Sequence, residues 1–240
     1  MENPNEIGKL MNALLGGVSR FTQVPVKYQK TLLGLDRRTL AYLRGGKGFD
    51  IGCGKGVLVE NLREKQIDFE GIDPEVEEDP DKPYLIKQLV TGVYPMAGSI
   101  PKPDSLYDIV VAFQNASLNR GFTLSSEIKT ALAIDMGIID MERHTNAVQN
   151  AQCIIWEGTR ILKPGQRFVV YPQLDRLEDV MGKSILESQG IKVASEPVDV
   201  KAAKEYFEWE RGRLGFSDLD APEERYREFG FYSRTVLTKT

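Results

Sequence analysis

The sequence predicts an α/β fold: a three-layer α/β/α sandwich around a largely parallel sheet. Three observations carry that expectation. Strand-like and helix-like stretches alternate along most of the chain, which is the pattern of a sheet covered by helices on both faces. The run YDIVVAF at 107–113 is almost continuously apolar, as a parallel strand buried on both faces requires. The stretch GFDIGCGKGVLVENL, from Gly48 to Leu62, passes from strand to helix through three alternating glycines.

Each element follows in order. Helices are expected near 7–15 and 28–44, the second with Leu32, Leu33, Leu40 and Leu43 on one side and Gly45-Gly46 as its stop. The first strand is short, near 48–52, and is followed by a helix over about 55–66 with Val57, Leu58 and Leu62 inward. FEGID, 69–73, is the second strand. The acidic, proline-bearing stretch from Pro74 to Pro83 is a surface loop, and a third strand lies near 84–89. TGVYPMAGSIPKPDS is too rich in Gly and Pro for a long regular element. After the strand at 107–113, a mixed segment over 114–147 has a helical middle. A helix over about 148–162 leads through KPG into QRFVVYP, 166–172. Asp175 with Glu178 fits a capping box for a helix over about 176–189. GIKVASEPV is another strand, 201–229 reads as an insertion, and FYSRTVLTK, 231–239, alternates like a strand.

Composition narrows the function classes. With 240 residues, 41% hydrophobic and 28% charged, the chain suits one medium domain with elaborations. A net charge of -4 gives no electrostatic reason to expect nucleic-acid binding. No apolar run reaches the length of a membrane span, and the polar start MENPNEIGKL has no signal-peptide core. Two cysteines, Cys53 and Cys153, do not make a disulfide framework, so the expected setting is cytoplasmic. With a single histidine, they also lack the spacing of a metal site.

The glycine loop raises the functional question. Gly52, Gly54 and Gly56 follow Asp50 at the end of a strand. Glycines there let the backbone take conformations closed to other residues and bring N–H groups close to a ligand. A dinucleotide fingerprint needs a third glycine at position 57, which is Val57. No phosphate-binding G-x-x-x-x-G-K-[ST] sequence is present. Asp73 stands 17 residues after Gly56, at the end of the next strand, where a carboxylate can accept hydrogen bonds from a ribose. Asp50 through Gly56, Asp73 and Gln114 all fall at strand ends and are expected to share one cleft.

FDIGCGKG followed by FEGIDPE resembles the first two cofactor motifs of the class I S-adenosylmethionine-dependent methyltransferases. YDIVVAFQNASL is similar to that family's fourth strand and its trailing loop, and RILKPGQRFVVYP to the turn and fifth strand. The resemblance covers about 45–240. It implies a seven-stranded, mostly parallel sheet whose last strand, FYSRTVLTK, is antiparallel. It makes 1–44 a helical extension or cap, with insertions near 120–147 and 201–229. It implies S-adenosylmethionine as cofactor, with Asp50, Gly52, Cys53, Gly54 and Gly56 around the methionyl part and Asp73 on the ribose. Pro74 or Glu75 would lie along the ribose or adenine edge, and Gln114 near the cofactor. The tetrapeptide [DNS]PP[YFW] of relatives that methylate amino groups of bases or glutamine is replaced by FQNA, 113–116. No acidic residue is easily placed after the third strand, where Gly92, Val93 and Tyr94 stand.

The expected activity is methyl transfer to a small-molecule acceptor. RNA or protein acceptors, a catalytically silent binding module and a nicotinamide oxidoreductase are the alternatives. A homodimer is left open. A cationic cofactor beside Asp50 would hold its carboxyl low. Catalytic residues stay unassigned: His144, Tyr171, Asn115, Asn119 and Arg120 are candidates without a distinguishing pattern. Cys53, with no histidine nearby in sequence to activate it, is expected to be a small packing residue in the loop and not a nucleophile. Trp156 and Trp209 read as packing residues. The aromatics of 201–229, Tyr206, Phe207, Trp209, Phe216 and Tyr226, either cover an organic acceptor or anchor their segment to the core or to another subunit.

Overall fold

The computed structural model describes residues 24–74, 76–87, 100–113, 141–174, 177–214, 227 and 230–240, with the backbone alone of 141–147, 150 and 210–214. The expected helix near 7–15, most of 114–147, Asp175, Phe216 and Tyr226 lie outside these residues.

Along the chain stand α1 (Val26–Leu33), α2 (Arg37–Leu43), β1 (Lys47–Ile51), α3 (Val57–Arg63), β2 (Asp68–Asp73), β3 (Leu85–Lys87) and β4 (Tyr107–Phe113). They are followed by α4 (Met141–Ile161), β5 (Leu162–Tyr171), α5 (Leu177–Met181), α6 (Lys183–Ser188), β6 (Ile191–Pro197), α7 (Val200–Leu214) and β7 (Ser233–Lys239). The strands form one sheet in the order β3-β2-β1-β4-β5-β7-β6. Pairings from β3 to β5 are parallel, and β7 runs antiparallel to both its neighbours. The expected seven-stranded α/β/α sheet with an antiparallel last strand is therefore the one observed.

Two apolar layers sandwich the sheet. One joins Phe49, Ile51, Val110 and Val170 to Ile155 of α4 and Leu177 and Leu186 of α5 and α6. The other joins Phe69, Val111 and Val169 to Leu32 and Leu33 of α1, Leu58 and Leu62 of α3 and Tyr206 of α7. Trp156 packs against the first layer and Trp209 against the second. β4 is buried at every position except Asp108. That acid accepts from the Lys47 amide at 2.8 Å and from Lys163 Nζ at 2.9 Å, which explains a charge in an otherwise apolar run.

Local chemistry divides what looked like longer elements. The helix expected over 28–44 is two helices. Gly34, at φ 71°, ends α1, and Asp36 caps α2 by accepting from the Thr39 amide at 2.8 Å. The helix expected over 176–189 is likewise divided by Gly182, at φ 80°. β5 begins earlier than expected, at Leu162, because Lys163, Pro164 and Gly165 sit in an irregularity opposite Tyr107–Ile109 and the strand continues through it.

The first part of 201–229 is helix, and its aromatics answer the question posed for them. Tyr206 and Phe207 are buried. Tyr206 meets Tyr28 of α1 at 5.7 Å and Phe113 at 5.6 Å between ring centroids. Phe207 stands edge-on to Phe231 at 4.2 Å. These rings anchor α7 to the core and to α1, as tilted and edge-to-face aromatic pairs do.

Candidate functional site

The strand order reverses between β1 and β4. In open α/β sheets this is where a crevice forms beyond the carboxyl ends of the strands. The loop leaving β1 is built on three backbone conformations open chiefly to glycine: Gly52 at φ 83°, Gly54 at 56° and Gly56 at 79°. Gly56 has a second constraint. A Cβ there would lie 2.5 Å from a methyl of Leu85 on β3. Gly56 is buried and serves the close packing of the loop on the sheet.

The expectation that this loop points its N–H groups at a ligand is corrected by the hydrogen bonding. The amides of Gly52 and Cys53 both donate to the Ile72 carbonyl, at 2.9 and 3.3 Å. Gly54 N–H donates to Asp73 Oδ2 at 3.0 Å, and Gly56 N–H to the Cys53 carbonyl at 3.0 Å. These four donors are turned inward, onto the end of β2 and the loop itself. A loop satisfied in this way is not an anion cradle, for which converging free N–H groups are needed.

The strand ends on either side of the loop carry carboxylates, while the loop's own Lys55 is exposed. Asp50 is 2% exposed, and its Oδ1 has no hydrogen-bond partner among the described residues. Asp50 lies opposite Gly71 in β1–β2 pairing, and Asp73 is two residues further along β2, on the same carboxyl-end rim. Burial first, and then the charge of Asp73, push the Asp50 carboxyl up to about 8. Asp73 is half-buried. Its carboxylate accepts from the Gly54 amide at the rim of the crevice.

Cys53 takes its place through a residue that the sequence reading passed over. A Cβ on Gly71 would sit 2.8 Å from Cys53 Sγ and 2.9 Å from Val59, so the bare backbone of β2 is what lets the loop settle. A lone glycine inside a strand is the available signal for such a close approach. Cys53 Sγ contacts the Gly54 carbonyl at 3.6 Å. Its sulfur is packed although the residue as a whole keeps some exposure, and burial with the two nearby acids pushes its thiol well up. It has the surroundings of a packing residue, the opposite of those that activate a thiolate.

Pro74 is exposed at the turn after β2, while Gln114, Asn115, Asn119, Arg120 and the His144 side chain lie outside the described residues. Tyr171 is wholly buried, donates to the Phe231 carbonyl at 3.0 Å and stacks on Phe113 at 5.3 Å. Those contacts give it a structural role. Among the described residues no cluster of three or more His, Cys, Asp or Glu side chains is placed to hold a metal, and no helix is long and apolar enough to cross a membrane.

The reversal point, the antiparallel β7 and a glycine loop followed by an acid at the end of β2 together define the class I methyltransferase fold. No family model and no curated protein matches the chain. Among solved structures, a chain of the complex between the Haloferax volcanii Trm112 methyltransferase activator and a methyltransferase is 16% identical at TM-score 0.46, with 97% of each chain covered. A SAM-dependent methyltransferase from Archaeoglobus fulgidus is 17% identical at TM-score 0.42, over 88% of this chain and 94% of that one. The [4+2]-cyclase SpnF is 16% identical at 0.41, over 97% and 92%. Likeness this distant says nothing of substrate, and the strand order and the loop carry the fold by themselves.

Proposed function

We propose that the protein is an S-adenosylmethionine-dependent methyltransferase acting on a small-molecule acceptor. The observation that carries this reading is the inward-turned glycine loop, which offers carboxylates where a dinucleotide site offers amide donors. A pyrophosphate would meet Asp50 and Asp73 with four nearby N–H groups already engaged. A cofactor carrying a sulfonium, an ammonium and a ribose suits the same residues: a buried acid oxygen lacking a partner and a second acid at a strand end.

In this reading Asp50, Gly52 and Gly54 hold the methionyl part and Asp73 the ribose. Gly56 keeps the loop close to β3, and Cys53 fixes it on Gly71. Pro74 and Gln114 complete the edge. Bound there, the cofactor supplies an electrophilic methyl group on a sulfur leaving group. The chain's own task is to align the acceptor and exclude water. A small acceptor accords with the mildly acidic net charge, which offers no field for a nucleic acid.

Calorimetric titration with S-adenosylmethionine, S-adenosylhomocysteine and NAD tests the reading. Saturable binding of the two sulfur compounds, and none of NAD, is expected. Binding of NAD alone would overturn it in favour of an oxidoreductase, and binding of neither would leave a scaffold.

A further inference from the structure

Asp50 sits on a central strand, flanked in register by Gly71 of β2 and Val111 of β4. Neither neighbour offers a polar side chain. The charged and titratable groups around it come from few directions. On β1 itself, Lys47 is at the opposite end, paired with Asp68 at 3.4 Å. From β2 the charge acting on Asp50 is that of Asp73. The other acids of β2, Asp68 and Glu70, are engaged by Lys47, Arg63 and Lys102. On β4, Asp108 is engaged by Lys163. From the loop come the packed thiol of Cys53 and Lys55, which is exposed and lies 4.0 Å from Glu77. No described cation is thus placed to balance Asp50, and no described donor satisfies its Oδ1.

A carboxylate buried with one oxygen lacking a donor and with no counter-cation costs more than a neutral acid in the same place. A second acid nearby adds to that cost. The same geometry becomes favourable for the ionised form once a cation is docked against it. We propose that Asp50 is a charge-sensing binding residue: a neutral carboxylic acid in the ligand-free protein, and a carboxylate when the cationic part of the ligand lies against it. The step breaks the Asp50 O–H bond, passes one proton to the solvent and leaves the oxygen paired with the ligand's positive group. No redox change or further reactant is involved. The inference rests on the reading that the site takes S-adenosylmethionine, and it assigns the site a requirement for positive charge. Below about pH 8 affinity for the cation should then rise by up to about tenfold per pH unit, as one linked proton dictates.

The test is titration of S-adenosylmethionine into wild-type protein and Asp50→Asn near pH 7, in two buffers of different ionisation enthalpy. The dependence of the observed heat on the buffer counts protons, and the ligand's own amino group, already largely protonated near pH 7, adds little in either protein. Wild type should release about one proton more than Asp50→Asn. Equal proton counts with binding intact would overturn the inference while leaving the cofactor reading in place. A wild type that binds neither sulfur compound would overturn that reading, and the inference with it. Should Asp50→Asn fail to fold or bind, infrared spectroscopy of wild type decides. A carboxylic C=O band, displaced in Asp50→Glu, should persist to near pH 8 and vanish on addition of S-adenosylmethionine. Absence of the band near neutral pH would overturn the inference.

Discussion

Two regions of the sheet treat acidic side chains in opposite ways: the amino ends of β1, β2 and β4, and the carboxyl end of β1. At the amino ends of the strands, acids are paired. Asp68 meets Lys47 and Arg63, Asp108 meets Lys163 and the Lys47 amide, and Asp104 meets Arg160 at 2.7 Å. At the carboxyl ends, Asp50 has an unpartnered buried oxygen, and the charge bearing on it is another acid, Asp73. Paired acids hold strands and helix ends together, with modest net stability for each exposed pair. A buried, unpaired acid works against folding and marks a candidate binding position.

Mutations should separate the two ends. The largest effect is expected from Asp50→Asn on the pH dependence of stability. Because the folded-state value of Asp50 is raised from 3.8 to about 8, its contribution to stability is complete below the lower value. It is lost as pH rises through the upper one. At about 1.4 kcal/mol per unit, wild type should lose a few kcal/mol more than Asp50→Asn between pH 4 and 8. Denaturant melts at a series of pH values would show this, and parallel curves for the two proteins would remove the contrast. Asp108→Ala should cost about 1–3 kcal/mol by leaving the Lys47 amide without its partner, and cofactor affinity should be unchanged. Lys163→Met should cost about 1 kcal/mol, since the half-exposed lysine is lost but Asp108 keeps the Lys47 amide as a donor. A large change in affinity from either would mean that the two ends are coupled.

The contrast also marks what could be read in the sequence. Buried runs such as 107–113 and the strand–glycine–helix passage at 48–62 are local signals, and both appear where expected. Gly34 and Gly182 were hidden because apolar residues recur on either side of each break, and periodicity alone does not register a single left-handed residue. The aromatics of α7 stand among charges, so whether they face a ligand or Tyr28 depended on the packing of distant segments. That Asp50, Gly52, Gly54 and Asp73 come together on one rim was legible because their order follows strand ends. The direction of the loop's N–H groups was not, because it depends on Ile72 and Gly71 of a neighbouring strand. Gly56 and Cys53 lie within the motif, yet their contacts are with Leu85 and Gly71.

The central claim is that the acids at the carboxyl ends of β1 and β2 hold S-adenosylmethionine. Titration of that cofactor into Asp73→Ala, beside wild type, tests it most directly. The account predicts a folded variant whose affinity falls by about 10- to 100-fold, the loss of hydrogen bonds to a charged acceptor. A folded variant with wild-type affinity would contradict it.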